Sequence, residues 1–207
     1  MNEQEVGRRV RDGLIGVVRG TGDVLEETIK AVTGVAKTAL GETASTAGAV
    51  GEVGVGAVRG AIRAVGDIGE EAAETAATSI NAAVDAASSV GIKVGNTAKG
   101  AVIGSVRGAA EAGTEGVKAV QETASAAVTE TAEVGADITA AAVGAVEGAI
   151  EVAKDLGVSA EEAAAAAASG AIEAAGQVSE TAAKRVQRAV EGTISGVKVV
   201  AKSTMGK

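Results

Sequence analysis

Apolar and small residues return every three or four positions along this chain, and no stretch sustains the alternation of a strand. From Val18 through Leu25, Ile29, Val32, Leu40 and Gly51 to Val58 the stripe takes eleven steps in 40 residues. It continues through Ile62, Val65, Ile80, Val84, Gly95 and Val102 to Val106 in thirteen steps over 48. Twenty-four steps in 88 residues is a period of 3.67, three turns per eleven residues. That period holds a stripe on one side of a nearly straight or slightly right-handed helix.

Breaks are expected where a C-cap signal meets an N-cap signal. In Lys154-Asp155-Leu156-Gly157-Val158-Ser159-Ala160-Glu161-Glu162, Gly157 closes one helix, and Ser159 with Glu162 forms a capping box for the next. The matching place upstream is Gly66 to Glu71. Weaker breaks fall at Gly48 to Gly56 and at Gly91 to Asn96, where Asn96 is a candidate cap. The pattern predicts an all-α chain of about four to six amphipathic helices interrupted by Gly. They pack as a bundle or an extended helical array, with disorder in isolation as the competing state.

The phrase Gly-x-Val-Arg/Glu-Gly recurs at Gly16 to Gly20, Gly56 to Gly60, Gly104 to Gly108 and Gly144 to Gly148, at spacings of 40, 48 and 40. An offset of 88 aligns Ile15 to Gly20 with Ile103 to Gly108, Glu42-Thr43-Ala44 with Glu130-Thr131-Ala132, and Val55 to Ile62 with Val143 to Ile150. A tandem duplication accounts for these ordered runs. The organisation is therefore a lead-in over 1–13, repeat unit 1 over 14–101, an acidic repeat unit 2 over 102–183 and a basic amphipathic tail over 184–207. Glycines one turn apart clear side chains from one spot and admit another backbone. Gly16, Gly20, Gly56, Gly60, Gly104, Gly108, Gly144 and Gly148 are thus candidate helix-packing residues. No strand precedes them and no Lys-Ser/Thr follows, so none reads as a phosphate loop.

Composition narrows the chemistry. The 207 residues include 48 Ala and 30 Gly but no Phe, Trp, Tyr, His, Cys or Pro, so any core is thin. Without His or Cys there is no imidazole base, thiolate, or nitrogen or sulfur metal ligand. No catalytic, cofactor-binding or metal-binding residue is expected, and the chain reads as no enzyme. Acid pairs such as Glu26-Glu27, Glu70-Glu71 and Glu161-Glu162 read as complements to helix dipoles. The Glu-Thr-Ala triplets at 42, 74, 122, 130 and 180 read as a solvated face.

The net charge of −8 is unevenly spread: Val120 to Ala183 holds eleven acids against Lys154, whereas Lys184 to Lys207 holds six bases against Glu191. An acidic body argues against nucleic acid as a partner. In the tail, Val186, Val190, Ile194 and Val197 align at helical spacing, flanked by Lys184, Arg185, Arg188, Lys198 and Lys202. This predicts a peripheral helix that meets either an anionic lipid surface or the acidic segment before it. The acidic amino terminus is no secretory signal. The longest runs free of charged residues, Thr75 to Val84 and Ala163 to Ile172, are ten residues long and too short to span a bilayer.

The 11-residue period in Ala, Gly, Val, Thr and Glu, with phrases such as Gly113-Thr114-Glu115-Gly116-Val117 and Ala189-Val190-Glu191-Gly192-Thr193, resembles the synuclein, perilipin-repeat and late embryogenesis abundant group. That resemblance implies a non-enzymatic protein, cytoplasmic or peripheral on a membrane or granule, that coats lipid or organelle surfaces or protects against stress. The recurrent Gly-x-x-x-Gly pairs favour an alternative: a self-assembling scaffold or filament subunit whose partner is another copy of itself.

Overall fold

The computed structural model describes residues 94–112 and 116–201, together with Arg8, Arg9 and Gly34. Five helices form there: α1 (Val94–Ala112), α2 (Gly116–Glu133), α3 (Ile138–Leu156), α4 (Ala160–Val178) and α5 (Glu180–Val190). A two-stranded antiparallel hairpin follows, β1 (Gly192–Ile194) and β2 (Val197–Val199). The first four helices begin at positions 94, 116, 138 and 160, a 22-residue unit made of two 11-residue repeats.

Local chemistry sets the turns. Asp137 caps α3 by accepting from the Thr139 and Ala140 amides at 2.9 and 3.3 Å. Gly157 ends α3 in the left-handed region at φ 68°, and the Val158 amide donates back to the Ala153 carbonyl, a Schellman closure. Ser159 then accepts from the Glu162 amide at 3.1 Å and opens α4. The same device ends α2: Gly135 lies at φ 68° and the Ala136 amide donates to the Thr131 carbonyl. Asn96 lies within α1, which already begins at Val94, so it caps nothing there.

Helices pack in two layers, α1 beside α3 and α2 beside α4, with chain neighbours antiparallel. The layer partners run parallel, because Lys99 pairs with Glu151 at 2.9 Å and Arg107 with Asp155 at 3.4 Å, both numbers rising together. Between the layers lies a core of small side chains. Of the buried hydrophobic residues described, 17 are Ala, ten are Val and one is Ile103, and no fully buried side chain among them is larger than Val. Each buried methylene-sized group contributes about 0.8 kcal/mol. Such a core gains the rest of its cohesion from backbones held within dispersion range of each other.

Two expectations change. The tail is not one helix: α5 stops at Val190, and residues 192–199 form the hairpin, in the register Gly192↔Val199, Thr193↔Lys198 and Ile194↔Val197. The reason is the Ser195-Gly196 pair, whose φ values of 49° and 81° make the two-residue primed turn that suits a hairpin and no helix. The β-branched Thr193, Ile194, Val197 and Val199 supply the flanking strands. Nor are the Glu-Thr-Ala triplets a solvated face in α2, where Thr123, Ala124 and Thr131 are buried, Glu130 and Ala132 are half-buried and only Glu122 is exposed. Thr131 is accommodated because its hydroxyl donates to the Ala127 carbonyl at 2.6 Å. Of the first copy of the 88-residue repeat only Gly34 and residues 94–101 are described, and the breaks near 48–56 and 66–71 lie outside the described residues.

Candidate functional site

Helix-packing glycines come first. Gly144 and Gly148 are buried on the α3 face turned toward α1. A Cβ on Gly144 would collide with the Gly95 carbonyl oxygen, and one on Gly148 would sit 2.6 Å from the Lys99 carbonyl oxygen and 3.2 Å from Val102 Cβ. In the other layer, a Cβ on Gly170 of α4 would collide with the Gln121 carbonyl of α2. The three approaches to a carbonyl each join residues 49 apart, so both layers use one register, offset by five residues from the 44-residue spacing of the helix pairs. Gly104 is buried in α1 and Gly108 lies in the same helix. Gly16, Gly20, Gly56 and Gly60 lie outside the described residues. Gly95 and Gly170, absent from the Gly-x-Val-Arg/Glu-Gly phrase, are closely approached too: a Cβ on Gly95 would sit 2.8 Å from the Ala140 carbonyl oxygen.

The basic tail is the second candidate. Ser179, extended at φ −171°, ends α4 and caps α5 by accepting from the Ala182 amide at 3.0 Å. Val186 and Val190 of α5 are fully buried, as is Val199 of β2 to 2% exposure, in the same cluster as α3 and α4. Val186 and Val190 of the apolar stripe are therefore spent inside the molecule, with Ile194 and Val197 half-buried against the same core. Arg185, Arg188 and Lys198 point to solvent, and Lys202 lies outside the described residues. Lys184 pairs along the helix with Glu180, and its hydrogen bond and positive charge hold the Glu180 carboxyl below its ordinary value. Among the described residues no ion pair joins α5 to α3 or α4, so apolar burial and not charge seats the tail.

A shallow groove on α2 is lined by Gln121, Glu122, Ser125, Thr129 and Glu130 with Glu173 from α4. Glu122 meets Lys118 at 3.5 Å, and the lining carries no group able to act as an activated nucleophile. Among the described residues, no group of three or more acidic side chains is placed to hold a metal ion. None of their helices is long and apolar enough to cross a membrane.

No protein-family model matches this chain, and no curated protein does. A solved structure similar to it is that of a de novo designed helical repeat protein, 20% identical, with a TM-score of 0.45. The match covers 84% of this chain and 94% of that one.

Proposed function

We propose that this chain is a non-enzymatic structural protein, an array of stacked helices that serves as a scaffold and not as a lipid coat. The observation that carries the reading is the shared register of the Gly144–Gly95 and Gly170–Gln121 approaches. A surface-coating helix keeps its apolar face free for lipid. Here Ala, Gly and Val on those faces are buried against neighbouring helices. Absence of His and Cys from the sequence supports the non-enzymatic part.

Circular dichroism with and without anionic vesicles, beside light scattering, tests it. A scaffold has its helix in buffer alone and gains little from vesicles. A chain that becomes helical only on lipid would sink the reading. One feature favours the coating alternative: Arg185, Arg188 and Lys198 are exposed together on the terminal elements. That alternative expects vesicle binding that salt abolishes, because the apolar stripe beneath those charges is already covered.

A further inference from the structure

The last elements of the array stand where a further helix pair would begin. Continuing the 22-residue unit beyond Ala160 puts the next helix start at 182, and α5 begins at Glu180. It packs on α3 and α4, while β2 covers α4 and β1 touches α3. Yet α5 has 11 residues where α1 to α4 have 18 or 19, and the hairpin replaces the second helix. The underside is apolar, with Ala182, Val186, Val190 and Val199 buried; the outer side is charged.

What lies beneath can be read from the repeat. On α1 and α2, the positions that receive the next pair are Gly95, Lys99, Val102 and Gln121. Forty-four residues on, their equivalents are Thr139, Val143, Val146 and Ala165, which put small and β-branched side chains where the internal face has Gly, Lys and Gln and keep only the Val. Thr139, Val143 and Ala165 remain half-buried under the shorter cover. This face occupies the repeat position at which α1 and α2 receive the next helix pair.

We propose that α5 and the hairpin form a detachable cap that masks the α3·α4 end face from a second copy of this chain. The proposal rests on the structural-scaffold reading. Terminal units with a polar outer face keep helical arrays from stacking end on end. An 11-residue helix is marginal when undocked, so α5 depends on its packing against α3 and α4 to stay formed. The single extended residue Ser179 links the cap to α4 and serves as the hinge.

The test uses the full chain with Val186→Ala and Val190→Ala, singly and together, and separately Val186→Asp. Alanine keeps or raises helix propensity, so α5 remains a helix while losing its docking surface. Cap opening should rise about tenfold for each Val→Ala, and the association constant from sedimentation velocity at least in proportion. Arg185→Glu with Arg188→Glu, on the outer side, should leave the wild-type association unchanged. Hydrogen exchange over residues 180–199 reports whether the cap has opened. Opened variants that associate no more than wild type would overturn the proposal. So would a Val186→Asp chain that loses far more helix than α5 contains, because the cap would then hold up the array and not merely close it. Lipid-dependent helicity would sink the scaffold reading instead, and is read in a different assay.

Discussion

Substituting Gly144 and Gly176 by Ala separates close packing from helix propensity, because the two sites share the same gain and differ in what surrounds them. Both lie within helices, and Ala is favoured over Gly in a helix interior by about 0.8 to 1 kcal/mol. At Gly176 the new methyl meets only Ala183 Cβ, at 4.0 Å, so the gain should appear nearly whole, reduced by fraying near the end of α4. At Gly144 the methyl meets backbone, the Gly95 carbonyl, which cannot rotate away. Relief requires α1 and α3 to part, and a gap of about 0.5 to 1 Å forfeits a quarter to a half of each dispersion contact along the seam. Overpacking of this kind costs about 1 to 3 kcal/mol, which outweighs the propensity gain over most of that range. Thermal and urea unfolding followed by circular dichroism should show Gly176→Ala melting higher and Gly144→Ala lower. About 1 kcal/mol corresponds to 2 to 4 °C for a domain of about this size. A Gly144→Ala variant that melts as high as Gly176→Ala would refute the close approach of α1 to α3.

Three further outcomes follow from single groups. Ser105 Oγ is fully buried without a hydrogen-bond partner, so Ser105→Ala should raise stability by about 1 kcal/mol in the same unfolding assay; a loss would mean that the hydroxyl is satisfied. Asp137→Ala removes the acceptor for the Thr139 and Ala140 amides and should cost about 1 kcal/mol, whereas Asp137→Asn should cost less. Glu180 has its carboxyl pKa lowered by the hydrogen bond and charge of Lys184. Its support for α5 is therefore complete above the ordinary value of 4.5 and disappears as pH falls through the lowered one. In a carboxyl NMR titration Lys184→Gln should move the Glu180 midpoint upward; an unmoved midpoint would remove Lys184 as the cause.

How much of this was legible in the sequence depends on which residues were used as markers. The 3.67 period and the Gly157-Val158-Ser159 break could be read directly, because capping is local chemistry and needs no tertiary partner. The true unit was obscured by following the Gly-x-x-x-Gly phrases, whose spacings of 40 and 48 straddle the 44-residue helix pair. Gly69, Gly91, Gly113, Gly135 and Gly157 stand 22 apart in the sequence, and the last two are the left-handed helix ends described above. That ladder was the available signal for the helix length. The hairpin was also available, in Ser195-Gly196 between β-branched runs, but Val186, Val190, Ile194 and Val197 fit a helical stripe equally well, and periodicity cannot see a reversal. Solvation of the Glu-Thr-Ala triplets was misread because Thr is ambivalent: its hydroxyl can bond its own helix, as Thr131 does to Ala127, and then its methyl packs like that of Val.

The close contacts lay beyond the sequence altogether, for a physical reason. A glycine marks where a backbone can approach, but the approaching partner is fixed by the axial offset between layers. The five-residue offset that brings Gly144 to Gly95 and Gly170 to Gln121 belongs to the packed pair of layers and is written in neither helix. The 44-residue repeat makes the outer face of α3 and α4 the counterpart of the face of α1 and α2 that they cover, and α5 with the hairpin covers it in turn.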